Sequence, residues 1–167
     1  MKNLLFFLFL PISLLLSEQA YCQIYSLKTQ RANPIVGALL VGENIEKMEN
    51  LELNEDRTRV ICKYDGVYFI SFSLQPAVLN LGINGHMGAW IEINSQPLTA
   101  STSRIYVTQD SPIAVLTCNS LIKLKSGDSI ATRFASTGYD IGVTYIESPS
   151  PEEGAIPSYT LTVLKVD

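Results

Sequence analysis

An all-β fold, an antiparallel sandwich or barrel, is the architecture that this 167-residue sequence predicts. Short runs rich in β-branched and aromatic residues recur along the chain, and turn-forming Gly, Asn, Asp and Pro separate them. Within these runs apolar and polar residues alternate, which is typical of strands with one buried face. About eight to ten short strands joined by turns, without a convincing long helix, indicate a β-sandwich or β-barrel.

The N-terminal segment predicts export. Lys2 precedes an apolar run over residues 4–16, and a more polar stretch follows and ends in Ala20, Tyr21 and Cys22. Because the apolar run is too short to span a bilayer, we interpret residues 1–22 as a secretory signal peptide. The small residues Ala20 and Cys22 favour cleavage after Cys22, with cleavage after Ala20 as the alternative. We therefore expect a secreted, extracellular protein.

Residues 60–74 contain the strongest local pattern in the chain. Two strand-like runs flank Asp65 and Gly66, and an Asp-Gly step between such runs predicts a tight turn because glycine adopts positive φ readily. The second run carries apolar residues at one parity and serines at the other. The sequence therefore predicts a β-hairpin whose second strand buries Tyr68 and Phe72.

The other elements follow in order. Residues 23–32 are interpreted as a short polar arm, and residues 33–167 as one domain. Residues 43–56 are expected to form a loop and a short edge strand, and residues 76–87 a turn-rich connection. Further strands are expected at 34–41, 87–94, 104–108, 114–124, 130–134, 141–145 and 159–166, with turns at 123–128 and 136–140 and a proline-rich surface loop at 148–157.

The net charge, the apolar stretches and the cysteines bear on which classes of function are possible. The formal net charge is −4, and without a basic cluster nucleic acid is a poor partner. No second apolar stretch is long enough to predict a membrane span. Once residues 1–22 are removed, Cys62 and Cys118 remain, and they either pair in an oxidising compartment or stay as two buried thiols.

The sequence does not predict a catalytic, cofactor-binding or metal-ligating residue. His86 is the single histidine, and as a catalytic base it would need a nucleophile and an orienting carboxylate nearby. We interpret it as a solvated loop residue. The carboxylate clusters lack the spacing of a calcium-binding loop. The sequence therefore argues against an enzyme.

Two segments resemble the jelly-roll domain shared by complement C1q and tumour-necrosis-factor-like proteins. Residues 59–72 are similar to the family's Phe-x-Cys and Tyr-x-Phe strands, and residues 121–128 to its Gly-Asp/Glu turn. Residues 90–94 and 158–164 stand where the family has two further strands. The corresponding positions are Cys62, Gly66, Tyr68, Phe69, Phe72, Gly127 and Asp128.

The resemblance implies a ten-stranded-type jelly roll without a collagen stem. It further implies a secreted, non-enzymatic homotrimer that binds an extracellular protein, glycan or surface through an unknown ligand. A structural or adhesive trimer of a microbial surface or matrix is the alternative. Calcium is implied by the resemblance only, since no residue matches a ligand motif.

The resemblance also makes several apolar residues candidates for the core or for the trimer interface. Trp90 faces away from the buried side of its own strand by alternation, so a subunit contact, ordinary packing and a glycan platform all stay open. The other candidates are Tyr68, Phe69, Phe72, Tyr159, Leu161 and Val163.

Overall fold

A computed structural model describes residues 19–32, 37–80, 82–109, 114–148, 150, 152 and 154–167. They form β-strands and one short 3-10 helix, Thr99–Ser101, which confirms the all-β prediction. The strands in chain order are β1 (Tyr21–Ser26), β2 (Gln30–Arg31), β3 (Ala38–Leu39), β4 (Asn44–Glu49), β5 (Leu51–Leu53), β6 (Arg59–Cys62), β7 (Gly66–Leu74), β8 (Pro76–Val78), β9 (Gly85–Ile93), β10 (Gln96–Pro97), β11 (Ser103–Val107), β12 (Leu116–Leu124), β13 (Ser129–Ser136), β14 (Ile141–Val143) and β15 (Tyr159–Lys165).

The described strands form two large antiparallel sheets and a small one. The five-stranded sheet has the order β12-β7-β15-β1-β4. The seven-stranded sheet has the order β10-β9-β13-β6-β5, with β11 beside β9 and β3 beside β13. Strands β2, β14 and β8 form the third sheet. Alternating apolar residues of the two large sheets meet between them and form the core of the sandwich.

Two aromatic residues tie the sheets together across this core. Tyr159 on β15 is buried, and its hydroxyl lies 2.6 Å from the hydroxyl of Thr132 on β13 in the opposite sheet. The ring of Phe72 on β7 lies beside Tyr159, with centroids 6.4 Å apart in a tilted arrangement. The hydrogen bond satisfies two polar groups that burial would otherwise leave without water.

The predicted arm at residues 23–32 is wrong as an element outside the sheets. Residues 23–26 belong to β1, which lies between β15 and β4 in the five-stranded sheet. Ile24 is buried in the core, so a segment that reads as polar contributes one of the inner strands. The strand was not predicted because Gln23 and Tyr25 point outward from this sheet, and such outward-facing residues give this short segment a polar composition.

The predicted hairpin around Asp65 and Gly66 is also wrong. Strand β6 pairs with β5 and β13, whereas β7 pairs with β12 and β15, so the connection between β6 and β7 crosses from one sheet to the other. Gly66 does not adopt positive φ. A Cβ there would meet the ends of the Asp167 and Lys165 side chains, which would have to move aside.

Several element boundaries in the structure differ from those predicted from the sequence. Residues 43–56 hold two strands, β4 and β5, and the predicted connection at 76–87 begins with β8. Residues 34–36 of the first predicted strand and residues 1–18 of the predicted signal peptide lie outside the described residues. Within the described part of the chain, no helix has the length and apolar character needed to cross a membrane.

Candidate interaction surface

An apolar row crosses the outward face of the five-stranded sheet. It consists of Leu121 on β12, Phe69 on β7 and Leu164 on β15, which are 64%, 36% and 42% exposed. Leu121 is registered with Phe69, and Phe69 with Leu164. Residues paired directly across strands point to the same side of a sheet. The three side chains therefore form a contiguous exposed patch, which we call the apolar row.

Small polar residues occupy the next row of the same face. Asn119, Ser71 and Thr162 are registered with one another on β12, β7 and β15. Hydroxyl and amide groups here can form hydrogen bonds across an interface. An apolar patch with polar surroundings is the composition expected of a protein–protein contact.

The other candidate residues separate in space. Tyr68, Phe72, Tyr159, Leu161 and Val163 are buried between the two large sheets. Of the predicted candidates on β7 and β15, Phe69 alone is exposed. The sequence could not separate these residues, because an aromatic-rich strand supplies apolar side chains at both parities.

Trp90 lies on the seven-stranded sheet, away from the apolar row. It is half-buried on β9, opposite Arg133 on β13, and its indole lies close to Gly37. The Nε1 atom is buried and has no hydrogen-bond partner among the described residues. Packing against neighbouring segments of its own chain accounts for most of the Trp90 surface.

His86 lies on β9 and not in a loop. Its ring is exposed and contacts the ring of Tyr106 on β11, with centroids 4.9 Å apart. Its backbone N–H donates to the hydroxyl of Thr137. The strand begins earlier than predicted because Gly85 and His86 pair with Val107 and Tyr106 across the sheet.

A buried carboxylate that the sequence analysis missed lies on the same sheet. Glu92 is 4% exposed. Its Oε1 atom lies 2.5 Å from Nε of Arg133, and its Oε2 atom lies 3.6 Å from Nη2 of Arg59. The alternation on β9 placed Glu92 on a wetter face, but arginines from β13 and β6 cover it. Both oxygens of Glu92 lie beside arginine side chains, so Glu92, Arg133 and Arg59 form an ion-pair network.

The predicted turn at Gly127 and Asp128 is confirmed in position and acts as a junction. Gly127 has a φ of 88° and donates to the carbonyl of Cys62, and Asp128 accepts from the side chain of Asn94 and from the backbone N–H of Lys125. These two hydrogen bonds lower the pKa of Asp128. The turn thus connects β12, β13 and the β6–β7 crossover.

The three cysteines are free thiols, so the pairing of Cys62 with Cys118 is not formed. Cys62 lies on the seven-stranded sheet and Cys118 on the five-stranded sheet, where the Sγ atom of Cys118 donates to the carbonyl of Ala89. Burial raises the pKa of Cys62 to about 11 and that of Cys22 to about 12. Thiols with raised pKa values are poor nucleophiles. Within the described residues no group of three or more His, Cys, Asp or Glu side chains could hold a metal ion.

Comparisons with known proteins add one decisive finding. The globular domain of zebrafish complement 1qA protein superposes with a TM-score of 0.60 at 11% sequence identity, covering 90% of this chain and 98% of that chain. The chain has the fold of a C1q globular domain. No protein-family model and no curated protein matched the sequence.

The C1q-like fold confirms the predicted jelly-roll sandwich. At 11% identity the likeness concerns the path of the backbone. Residue roles in this chain must therefore be argued from its own side chains. Of the described surfaces, the apolar row combines exposure, contiguity and placement on a broad sheet face most clearly.

Proposed function

We propose that this chain is a secreted, non-enzymatic, homotrimeric binding module with a C1q-like fold, which recognises an extracellular protein, glycan or surface. The observation that carries the proposal is the apolar row of Leu121, Phe69 and Leu164. Isolated exposed apolar residues are ordinary, but a registered patch on a sheet face marks a contact surface.

Self-association through this face accounts for its composition. In a cyclic trimer each subunit presents two different patches to its two neighbours. The five-stranded sheet is wide enough to offer both, with Leu121 and Lys123 on β12 at one edge and Glu46 and Glu49 on β4 at the other. Lys47 lies between Glu46 and Glu49 on β4, so that edge is only weakly acidic, and its net negative charge favours contact with the Lys123 edge of the next subunit.

Binding without catalysis fits the side chains of the described residues. The buried carboxylate Glu92 is engaged by arginines, the buried thiols have raised pKa values, and His86 is an exposed ring beside Tyr106. General acid–base or nucleophilic catalysis needs such groups within reach of one another. Here these groups lie on separate parts of the fold, or, as with Glu92, already pair with other side chains.

The trimer is tested by exchanging one residue of the apolar row. Leu121→Glu puts a charge into the proposed interface, and desolvating that charge opposes assembly. We expect light scattering to give three times the chain mass for the wild type and the mass of one chain for the variant. Tyr139→Glu, at a residue that is 56% exposed outside the five-stranded sheet, is the matched control and should stay trimeric.

Circular dichroism distinguishes loss of assembly from loss of fold. Leu121 is exposed, so the isolated Leu121→Glu chain should keep the β-sheet spectrum of the wild type. A wild-type protein that is monomeric at micromolar concentration would contradict the trimer. A Leu121→Glu variant that stays trimeric would remove the apolar row from the interface.

A further inference from the structure

An open trough crosses the outward face of the seven-stranded sheet at Gly88 on β9. Gly88 is registered with Arg104 on β11 and with Ala135 on β13, so this row of the face carries little side-chain volume beyond the arginine. His86 and Trp90 lie two residues to either side of Gly88 and point to the same face. The volume of the trough is about 350 Å³.

The space above Gly88 is not filled by the protein itself. Apart from its chain neighbours, the nearest atom to a Cβ built there would be the carbonyl oxygen of Ser103, at 3.8 Å. Gly88 does not have positive φ, and its register with both neighbouring strands is unbroken, so neither a turn nor a bulge requires glycine. Glycine inside a strand otherwise marks a place where a ligand or another backbone approaches closely.

Arg104 gives the trough a positive charge. Its side chain is exposed and forms no ion pair or hydrogen bond with another described residue. The described residues that line the trough include no carboxylate, and Glu92 on the same face is already paired with Arg133 and Arg59. A guanidinium group binds a carboxylate through two parallel hydrogen bonds, so an anionic ligand of this kind is favoured.

The sides of the trough combine aromatic rings with hydroxyl groups. Trp90 and His86 line it at opposite ends, and their Cα positions are about 13 Å apart along the strand, which leaves room for one ring between them. Thr102 and Thr137 also line it, and the hydroxyl of Thr137 accepts from the backbone N–H of His86 at 3.2 Å and keeps its own hydrogen to donate. A sugar ring has C–H groups on its faces and hydroxyls around its rim, and this mixture of aromatic and hydroxyl groups suits both.

We propose that the trough binds one carboxylate-bearing sugar unit, a uronic acid, of an extracellular glycan. The carboxylate pairs with Arg104, and the ring lies over Gly88. This inference rests on the proposed function and narrows its ligand to an acidic glycan. The trough and the apolar row lie on different sheets, so binding in the trough does not depend on the proposed trimer interface.

Methyl glucuronide and methyl glucoside are suitable probes because they differ only in a carboxylate against a hydroxymethyl group. Titration followed by nuclear magnetic resonance should show that the wild-type protein binds the glucuronide about tenfold more tightly than the glucoside. Arg104→Gln should bring the ratio of the two affinities close to one. Lys125→Gln removes the same charge from an exposed turn before the distant end of β13, and this matched control should leave the ratio unchanged.

A second variant tests the space itself. Gly88→Val places a side chain in the trough without a close contact at its Cβ, and a β-branched residue suits a strand. The variant should keep the circular dichroism spectrum of the wild type and bind neither sugar. In the wild type, the glucuronide should shift the backbone amides of Gly88, Arg104 and Ala135.

Three results would overturn the inference. They are the absence of glucuronide shifts around the trough at millimolar concentration, equal binding of acetate, which would indicate a site for any small anion, and wild-type affinity in folded Gly88→Val. A wild type that is trimeric but does not bind the glucuronide would overturn this inference and leave the trimer standing. A monomeric wild type that binds the glucuronide in the trough would support this inference and contradict the trimer.

Discussion

Glu92 illustrates how single residues of this chain depend on distant neighbours. Its carboxylate is buried between Arg133 and Arg59, which are themselves about four-fifths buried, with side-chain exposures of 19% and 20%. Arg133 also donates to the carbonyl of Gly37. The cluster thus joins β9, β13 and β6 and reaches the segment before β3.

Removing this carboxylate should be strongly destabilising. Glu92→Gln leaves two partly buried guanidinium groups without a counter-charge, and breaking such a pair costs about 3 kcal/mol or more. Urea unfolding followed by circular dichroism measures the loss. Glu52→Gln removes an exposed carboxylate, 67% accessible and 3.9 Å from Lys63, and should change the free energy of unfolding by less than about 0.5 kcal/mol. Equal effects of the two changes would contradict a structural role for the Glu92 cluster.

At the scale of an element, β1 carries more of the fold than its composition suggests. Cys22 and Ile24 are buried, and Ala20 just before the strand is fully buried. The carbonyl of Ala20 accepts from the N–H of Lys165 at 2.7 Å. Signal cleavage after Cys22 would remove two residues from this strand.

We therefore expect a chain that starts at Gln23 to be less stable than one that starts at Gln19. The loss of two buried side chains and one strand end should lower the free energy of unfolding by about 2 kcal/mol or more. Thermal unfolding of the two chains tests this, with a chain from Tyr21 as the intermediate case. Equal stability of all three would show that β1 tolerates cleavage after Cys22, and N-terminal sequencing of the exported protein would then identify the site used.

At the scale of the whole molecule, buried acidic groups predict sensitivity to alkali. Burial raises the pKa of Cys22 to about 12 and that of Cys62 to about 11 from an ordinary value of 9.0. Burial also raises the pKa of Tyr68 to about 12 from 10.0. In this range the unfolded chain loses protons that the folded chain keeps. The contribution of these three groups to the free energy of unfolding is therefore complete below about pH 9, and it is lost as the pH rises towards 12.

Each group contributes a slope of up to about 1.4 kcal/mol per pH unit in its own window. Urea unfolding at about pH 8, 9, 10 and 11 should show a steady fall in stability. Cys62→Ala should be less stable at about pH 8 but should lose stability less steeply between about pH 9 and 11. The same slope in wild type and variant would contradict the assignment to Cys62.

Much of the fold was predictable because the alternation of apolar and polar residues that marks a strand lies within a few consecutive residues. The alternation of residues 87–94 predicted β9, the pattern of 114–124 predicted β12, and the last run predicted β15. The Gly127–Asp128 turn was also predictable, since glycine is favoured at the positive φ found there. These features depend on residues within one turn or strand.

The candidate surface was only partly predictable. Phe69 was a candidate from the sequence, but Leu121 and Leu164 became its neighbours only when β12 and β15 paired on either side of β7. Nothing in the sequence around Glu92 indicated that this residue is buried and paired. Its role depends on the arginines from two other strands that cover it.

The sequence by itself determined the all-β class, the approximate positions of the longer strands from β7 onward and the turn at Gly127, because alternation and turn propensity act over a few residues. Only the tertiary structure decided that residues 60–74 form a crossover between two sheets, that β1 is an inner strand and that Phe69 joins an exposed apolar row. Strand pairing depends on contacts between residues far apart in the chain. A periodic pattern identifies the buried face of a strand but not the strand beside it.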